Sequence, residues 1–366
     1  MKTNSHRRET ARRFCARFCW TLSLLWIVGG YGPDMMARLV PIAPGQSARQ
    51  AIGPSDNWGL DRIDQANRPL DGIFTYSKAG AGVTIYIVDT GILTTHVDFL
   101  DGHGRSRVTY VGDFCTGQVR TTSRPFDNAD GYDGHGTHVA SYAAGRRSGV
   151  AKATRIVSLR VSWSGRRDDP DYAANGGPAC GDETNHHAND EAVRQAVIWI
   201  TRHGHRPAVL NISFGSASER TQTAIREVIR SGFVVTLSGG TGGPVSSHWG
   251  TEIPVIALVV GGTDAMDRPL GRNYGPLLAL YAPAQGLMGA GKASDTDYSV
   301  PERDGCSHDC RGGDSFAAPL AAGAAALYLE SHPTAPPADV KTALIMAATA
   351  GIVMNPGTTD RLLRVE

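Results

Sequence analysis

The organisation of this chain is set by a glycine-rich turn, Gly312-Gly313-Asp314-Ser315-Phe316-Ala317-Ala318-Pro319, which opens a run of small and apolar residues that reaches Leu329. A loop that ends in glycines and continues into alanine and leucine predicts the start of a buried helix. Pro319 fits this prediction if it lies in the first turn, where backbone N–H groups have no partners. Ser315 is then either an ordinary N-cap, for which serine is strongly preferred, or a hydroxyl presented at the positive end of a helix.

Composition sets broad limits. The chain has 366 residues, of which 41% are hydrophobic, and its net charge is +1 at pH 7. It is long enough to bury a large core in one or two domains. A charge so close to zero gives no support for nucleic acid or an anionic membrane as a partner. We therefore expect no nucleic-acid partner, and we expect a monomer.

Residues 1–37 resemble an export signal. Basic residues precede an apolar run from Phe18 to Val28, and small residues follow it. The run is shorter than the roughly 20 residues of a membrane-spanning helix. A cytosolic N-terminal helix and an uncleaved anchor are the alternatives, and only the anchor would attach the protein to a membrane. We predict an exported protein, secreted or periplasmic, with a short linker or pro-segment at 38–55 and one domain over 56–366.

The cysteines agree with export. Cys15 and Cys19 would leave with the signal, and four remain: Cys115, Cys180, Cys306 and Cys310. Four cysteines allow three pairings, between which the sequence does not choose. Cys306 and Cys310 could close a small loop before Ser315. A zinc site is disfavoured because no C-x-x-C pair or supporting histidine pair accompanies them.

Hydrophobic patterning predicts strands that alternate with helices. The predicted strands are 83–88, 155–161, 208–214, 233–237 and 255–260, and the predicted helices are 139–144 (following His135), 189–203, 218–230, the run after Ser315, and 337–348. This alternation indicates an α/β fold of three layers, in which helices cover both faces of a mostly parallel sheet. Ligands of such folds bind beyond the carboxyl ends of the strands, and Asp89 stands at one of these ends.

Three residues could together carry out acyl transfer. A serine hydroxyl is a poor nucleophile until an imidazole takes its proton, and a buried carboxylate fixes the tautomer of that imidazole. Asp89, His135 and Ser315 occur in one of the chain orders that build this geometry. Taken singly, Asp89 could be a strand-end cap and His135 a polar residue at a helix start. His135 and His138 could also be a metal pair, although no third ligand is evident.

The chain resembles the subtilisin-like serine proteases, and most closely their proteinase K branch. The resemblance covers about residues 56 to 364. It rests on Ile85-Tyr86-Ile87-Val88-Asp89-Thr90-Gly91-Ile92, His135-Gly136-Thr137-His138-Val139-Ala140 and Gly313-Asp314-Ser315-Phe316-Ala317-Ala318-Pro319, with lesser matches that include Asn273-Tyr274-Gly275. The resemblance implies that Asp89, His135 and Ser315 are the catalytic triad and that the Ser315 N–H belongs to the oxyanion hole. It further implies that Ser213, Phe214 and Gly215 form a strand edge that pairs with the main chain of an extended polypeptide substrate. His138 would then be structural.

The sequence departs from the family at four points. The family's oxyanion-hole Asn is replaced by Gly240, and loss of such a donor costs roughly a hundred- to a thousand-fold in turnover. The Ser315 N–H would remain as a donor, and Ser238, Thr241 or a water could partly substitute for the Asn. Asp314 replaces the usual Thr before the nucleophile; it either complements the helix dipole or opposes a developing oxyanion. Ala279 aligns with a calcium-binding Asp, so we expect no metal site there and no cofactor, and leave calcium binding elsewhere open. Residues 38–55 are too short for the usual pro-domain.

Two functions follow from this pattern. The first is an exported serine endopeptidase with a weakened oxyanion hole, and the second is a pseudoprotease that binds extended polypeptide without turnover. A structural or adhesion module has no support beyond the fold. The acidic segment from Leu287 to Gly312 is interpreted as a solvated loop, with a cation site as the alternative.

Overall fold

The structure, a computed structural model, describes residues 46–115, 134–162, 189–240, 242–271, 273–301 and 312–365. The chain divides into two compact units, Met1–Ala37 and Arg38–Glu366, and every element described below belongs to the second. The predicted export signal, Cys180 and the Cys306–Cys310 loop lie outside the described residues. Within these ranges, no helix combines the length and the apolar character that a bilayer crossing requires.

The strands and helices follow one another in chain order. Strands β1 to β13 span Ala48–Ala51, Ile73–Tyr76, Thr84–Asp89, Val108–Asp113, Arg155–Arg160, Ala208–Ile212, Val234–Ser238, Gly243–Pro244, Leu258–Thr263, Asn273–Tyr274, Leu280–Pro283, Gly289–Ala290 and Tyr298–Ser299. Helices α1 to α8 span Trp58–Ile63, His135–Ala144, Asp190–His203, Glu219–Arg230, Ser246–Trp249, Ile253–Ile256, Asp314–Ser331 and Pro337–Ala347.

A parallel sheet forms the centre of the molecule. In the described part of the chain its strand order is β11-β9-β7-β6-β3-β5-β4. Every pair of neighbours in it is parallel. After β3 the chain builds one side of the sheet with β4 and β5 and then the other side with β6 and β7. The carboxyl end of β3 is therefore the crevice at which an open α/β sheet binds its ligand.

Side chains of β3 alternate between two hydrophobic cores. Ile85 and Ile87 pack in one core with α2 and α7, whereas Tyr86 and Val88 pack in the other with α3 and α4. All six residues of the strand are buried, as expected for a parallel strand covered on both faces. The three-layer α/β fold predicted from the sequence is confirmed.

Two local predictions are wrong. The segment predicted as strand 255–260 begins as a short helix, Ile253–Ile256, and the strand itself runs over Leu258–Thr263. Pro254 lies at the start of this helix, where the missing N–H costs nothing. Pro319 is not in the first turn of its helix, because α7 begins at Asp314 and Pro319 is its sixth residue.

Candidate active site

The first catalytic candidates meet at the carboxyl end of β3. Asp89 is the last residue of the strand and is fully buried. His135 is the first residue of α2, and its Nδ1 lies 2.7 Å from Oδ1 of Asp89. The same carboxylate oxygen accepts a hydrogen bond of 2.8 Å from the Thr90 N–H. A carboxylate can only accept, so Nδ1 carries a proton and Nε2 is left as the basic nitrogen of the neutral ring.

Hydrogen bonds hold the loop after β3 close to the first turn of α2. The Gly136 N–H donates to Oγ1 of Thr90 over 2.8 Å, and the Leu93 N–H donates to Oγ1 of Thr137 over 2.9 Å. A Cβ at residue 136 would lie well under 3.0 Å from the carbonyl oxygen of Gly91. Only glycine allows this approach, which places His135 directly above the end of the strand.

Ser315 is not the N-cap of its helix. Gly313 occupies the cap position of α7, without a side-chain cap, and Ser315 is the second helical residue. Ser315 is half-buried, and the ring of its neighbour Phe316 lies 5.3 Å from the ring of His135, measured between centroids. The structure thus brings the helix turn that carries Ser315 next to the His135 imidazole.

The predicted substrate edge follows β6. Ser213 is buried, whereas Phe214 and Gly215 are partly exposed. The Ser213 hydroxyl accepts from Nδ2 of Asn211 over 2.9 Å and donates to the carbonyl oxygen of Ser315 over 2.8 Å. The carbonyl oxygen of Phe214 accepts from the Ser238 hydroxyl over 2.8 Å. These contacts fix the segment after β6 beside the start of α7.

Gly240, the residue predicted to stand at the oxyanion-hole position, lies just beyond β7. Gly240 has a φ of +124°, a conformation that side-chain-bearing residues rarely adopt. Its carbonyl oxygen accepts a hydrogen bond of 2.9 Å from Nδ2 of Asn273. Oδ1 of Asn273 in turn accepts from the Gly242 N–H over 3.0 Å. The side-chain amide of Asn273 therefore hydrogen-bonds both Gly240 and Gly242 and holds this turn in place.

Asp314 has a structural role that neither sequence interpretation included. The residue is buried; its Oδ1 accepts from the Gly262 N–H over 2.8 Å, and its Oδ2 accepts from Nδ2 of Asn273. The carboxylate therefore connects the start of α7 to β9 and, through Asn273, to the turn at Gly240. The Asn273-Tyr274-Gly275 motif was the sequence signal for this network, although nothing in the sequence pairs Asn273 with Asp314.

The described residues do not favour a metal centre. His138 is buried, with Nδ1 3.0 Å from the Gly134 carbonyl oxygen and Nε2 3.2 Å from that of Ser299, so its nitrogens face hydrogen-bond acceptors rather than a shared ion. The side chain of Ala279 has no ligand atom that could replace the carboxylate of the family's calcium-binding Asp. In the parts of the chain that the structure describes, no group of three or more His, Cys, Asp or Glu side chains is arranged to hold a metal ion.

The segment after Leu287 contacts the loop that follows β3. Oδ1 of Asp295 accepts from the Thr95 hydroxyl over 2.6 Å, and Nε2 of His96 lies 2.7 Å from the carbonyl oxygen of Asp297. Asp295 is exposed, but Leu287 and Ala290 are buried and Gly289–Ala290 pairs with Tyr298–Ser299, so the prediction of a solvated loop holds for only part of the described segment. Elsewhere, Cys115 is disulfide-bonded.

Comparison with known proteins identifies the family. The Subtilase family model matches residues 80–364. An "Extracellular serine proteinase" of Thermus sp. (strain Rt41A) is 34% identical over 87% of this chain and 68% of its own length. "Alkaline serine exoprotease A" of Vibrio alginolyticus is 31% identical over 84% of this chain, which spans only 49% of that protein.

The solved structures agree with the sequence comparison. A cold adapted subtilisin-like serine proteinase superposes with a TM-score of 0.69 and 28% identity, over 85% of this chain and 99% of that one. The resemblance inferred from the three motifs is thereby confirmed, as is the class of enzyme that it implies. The chain belongs to the subtilase family of serine peptidases.

Proposed function

We propose that this chain is an exported serine endopeptidase that hydrolyses peptide bonds through Asp89, His135 and Ser315. The hydrogen bond of 2.7 Å between Nδ1 of His135 and the fully buried Asp89 is the observation that carries the proposal. It leaves Nε2 as the basic nitrogen of a ring whose centroid lies 5.3 Å from that of Phe316, the neighbour of Ser315. Export is supported by the relative from Thermus, which is named an extracellular enzyme.

The chemistry assigns one role to each residue. Nε2 of His135 takes the proton of the Ser315 hydroxyl while Oγ attacks the carbonyl carbon of the scissile peptide. The carbonyl oxygen takes up the electron pair, then returns it as the C–N bond breaks, and the leaving amine receives the proton from His135. Water hydrolyses the resulting acyl-enzyme by the same steps in reverse order. Asp89 stabilises the imidazolium that forms in each half of the cycle.

The polypeptide substrate would bind as an added strand. Residues 213–215 continue from β6 at the rim of the sheet, and Phe214 and Gly215 are partly exposed there. Pairing with a main chain recognises extended conformation rather than a particular sequence. No cofactor takes part in this scheme.

A pseudoprotease is the second candidate, and the absence of a side chain at Gly240 favours it. Such a protein would bind extended polypeptide at residues 213–215 without hydrolysing it. The two functions differ in whether Ser315 is nucleophilic, which can be measured directly.

A fluorophosphonate probe tests the proposal. We expect labelling of the wild-type protein and cleavage of a casein substrate, and we expect Ser315→Ala to lose both. Ser331→Ala, at the exposed end of the same helix, is the matched control and should label like the wild type. A folded wild-type protein that binds casein but neither labels nor cleaves it would overturn the endopeptidase and establish the pseudoprotease.

A further inference from the structure

We propose that His248 supplies the polar side chain that is missing at Gly240, and that it hydrogen-bonds the oxygen anion formed during peptide hydrolysis. This inference rests on the proposed function and extends it. His248 lies in α5, a four-residue helix that the sequence motifs do not include.

The imidazole ring fills the space into which a side chain at residue 240 would extend. An ideal Cβ on Gly240 would lie 2.6 Å from Cδ2, 2.8 Å from Cγ and 3.0 Å from Nε2 of His248. Real Cβ atoms essentially never approach other atoms within 3.0 Å. The side of the ring formed by Cγ, Cδ2 and Nε2 therefore faces Gly240, with Cδ2 nearest.

The orientation of the ring is fixed by a hydrogen bond. Nε2 of His248 lies 2.7 Å from the carbonyl oxygen of Gly242, and since a carbonyl oxygen only accepts, Nε2 carries a proton. The donor therefore lies on the edge that faces Gly240. One N–H can be shared between two acceptors, and a charged acceptor forms the stronger bond.

The turn that holds His248 is connected to the nucleophile. Asn273 binds the N–H of Gly242 and the carbonyl oxygen of Gly240, and it also donates to Asp314, the residue before Ser315. A Cβ on Gly239 would lie 2.5 Å from Oδ2 of Asp314. The two consecutive glycines thus have the Asp314 carboxylate against one and the His248 imidazole against the other.

This arrangement accounts for two of the four departures from the family, Gly240 and Asp314. The Asp314 carboxylate is occupied by Gly262 and Asn273, and the His248 ring, whose Nε2–H is a hydrogen-bond donor, lies against Gly240. As Ser315 attacks and its proton passes to His135, the substrate oxygen becomes an anion. The Nε2–H of His248 then donates to both that anion and the Gly242 carbonyl oxygen, and the proton stays on Nε2. When the C–N bond breaks, the N–H again donates to the Gly242 carbonyl oxygen alone.

The test compares an apolar variant with one that keeps the donor. In His248→Leu, kcat should fall about 10²-fold with little change in KM, because the lost bond exists only in the transition state. Affinity for a peptide aldehyde, which mimics the tetrahedral anion, should fall by the same factor. His248→Gln places an amide nitrogen near the position of Nε2 and should keep kcat within about tenfold of wild type.

His203→Leu is the matched control, because His203 is exposed at the end of α3, where its ring lies 5.2 Å from that of Trp199 in the same helix, measured between centroids. Fluorophosphonate labelling of every variant separates the two proposals: absence of labelling and turnover in the wild-type protein ends the proposed function and this inference with it. A labelled, active wild type with equal kcat in His248→Leu overturns this inference alone, as do equal losses in His248→Leu and His248→Gln. If His248→Leu does not fold, His248→Asn, whose amide is too short to reach the Gly242 carbonyl, replaces it with the same expected loss.

Discussion

The hydroxyl of Ser213 donates a hydrogen bond of 2.8 Å to the carbonyl oxygen of Ser315. In an uninterrupted helix this carbonyl oxygen would accept from the N–H four residues later. Residue 319 is a proline and has no N–H, so the helix itself cannot provide the bond. The Ser213 hydroxyl, at the predicted substrate edge, therefore replaces the missing helical donor to the carbonyl oxygen of Ser315, the predicted nucleophile.

Ser213→Ala should lower the free energy of unfolding by about 1–3 kcal/mol, because the partly buried carbonyl oxygen of Ser315 loses its donor. Pro319→Ala in the same chain adds an N–H at the position that this oxygen can reach, and should recover part of the loss. Urea unfolding of both single variants and the double variant measures the coupling. Additive effects would contradict the relationship between these residues.

Asp89→Asn should lower kcat by about 10⁴-fold, as in serine enzymes whose imidazole is left in the wrong tautomer. The amide of Asn can donate its N–H₂ to Nδ1 of His135, so Nδ1 becomes the acceptor. The single proton of the neutral ring is then on Nε2, which can no longer take the proton of Ser315. Steady-state hydrolysis of a peptide substrate measures the effect, and circular dichroism confirms the fold. Asp190→Asn, at the first turn of α3, is the control and should keep wild-type turnover.

Gly240→Asn should not raise activity, although it restores the residue type of the family. The side chain would meet the His248 ring at 2.6–3.0 Å and would strain a backbone whose φ is +124°. We expect lower stability, measured by thermal unfolding, and turnover no higher than that of the wild type. A tenfold rise in kcat would show that the turn can rearrange to accept the side chain.

Asp314→Asn should destabilise the protein by about 2–3 kcal/mol, because one of its terminal atoms becomes an N–H₂ that faces a donor from Gly262 or Asn273. If the charge of Asp314 instead opposes catalysis, Asp314→Asn should raise kcat. Urea unfolding and peptide hydrolysis on the same preparation distinguish the two. A stable variant with raised kcat would refute the structural role.

Asp64 should make the protein less stable as the pH rises from about 4 to 6. The pKa of Asp64 is raised to about 6, mainly because the carboxyl group is buried. The nearby carboxylates of Asp61 and Asp71 raise it further, whereas a hydrogen bond from the Thr75 N–H lowers it. The folded state therefore holds more protons than the unfolded state in this window, so the free energy of unfolding falls with increasing pH. Urea unfolding should show that Asp64→Asn is more stabilising, relative to wild type, at pH 8 than at pH 3.5.

Asp264 provides the matched control for this experiment. Burial by itself raises the pKa of the Asp264 carboxyl group. Hydrogen bonds from Arg268 and Met266 lower it by more, so the pKa is below the usual value. The stability that Asp264 contributes is present at pH 8 and is lost on acidification. Asp264→Asn should therefore destabilise the protein at pH 8, the opposite of Asp64→Asn. A common sign for both variants would contradict the assignment.

Some features of the site were predictable from the sequence because they depend on local patterns. The β-branched run before Asp89 predicts a buried strand, and small residues after Ser315 predict a buried helix. The partners of Gly240 were not predictable, because they come from residues that are distant in sequence, such as Asn273, and from a short helix that carries no motif. Likewise, the position of Pro319 depends on where α7 begins, and glycines before a helix do not fix that residue.

The bond between Ser213 and Ser315 has a consequence for local unfolding. Fraying of the first turns of α7 requires this bond to break, and so does detachment of residue 213 from the helix. We therefore expect the rim that would hold substrate and the turn that would attack it to be coupled in local unfolding and to open as one cooperative unit. Their backbone amides should accordingly exchange with deuterated solvent at matched free energies of opening.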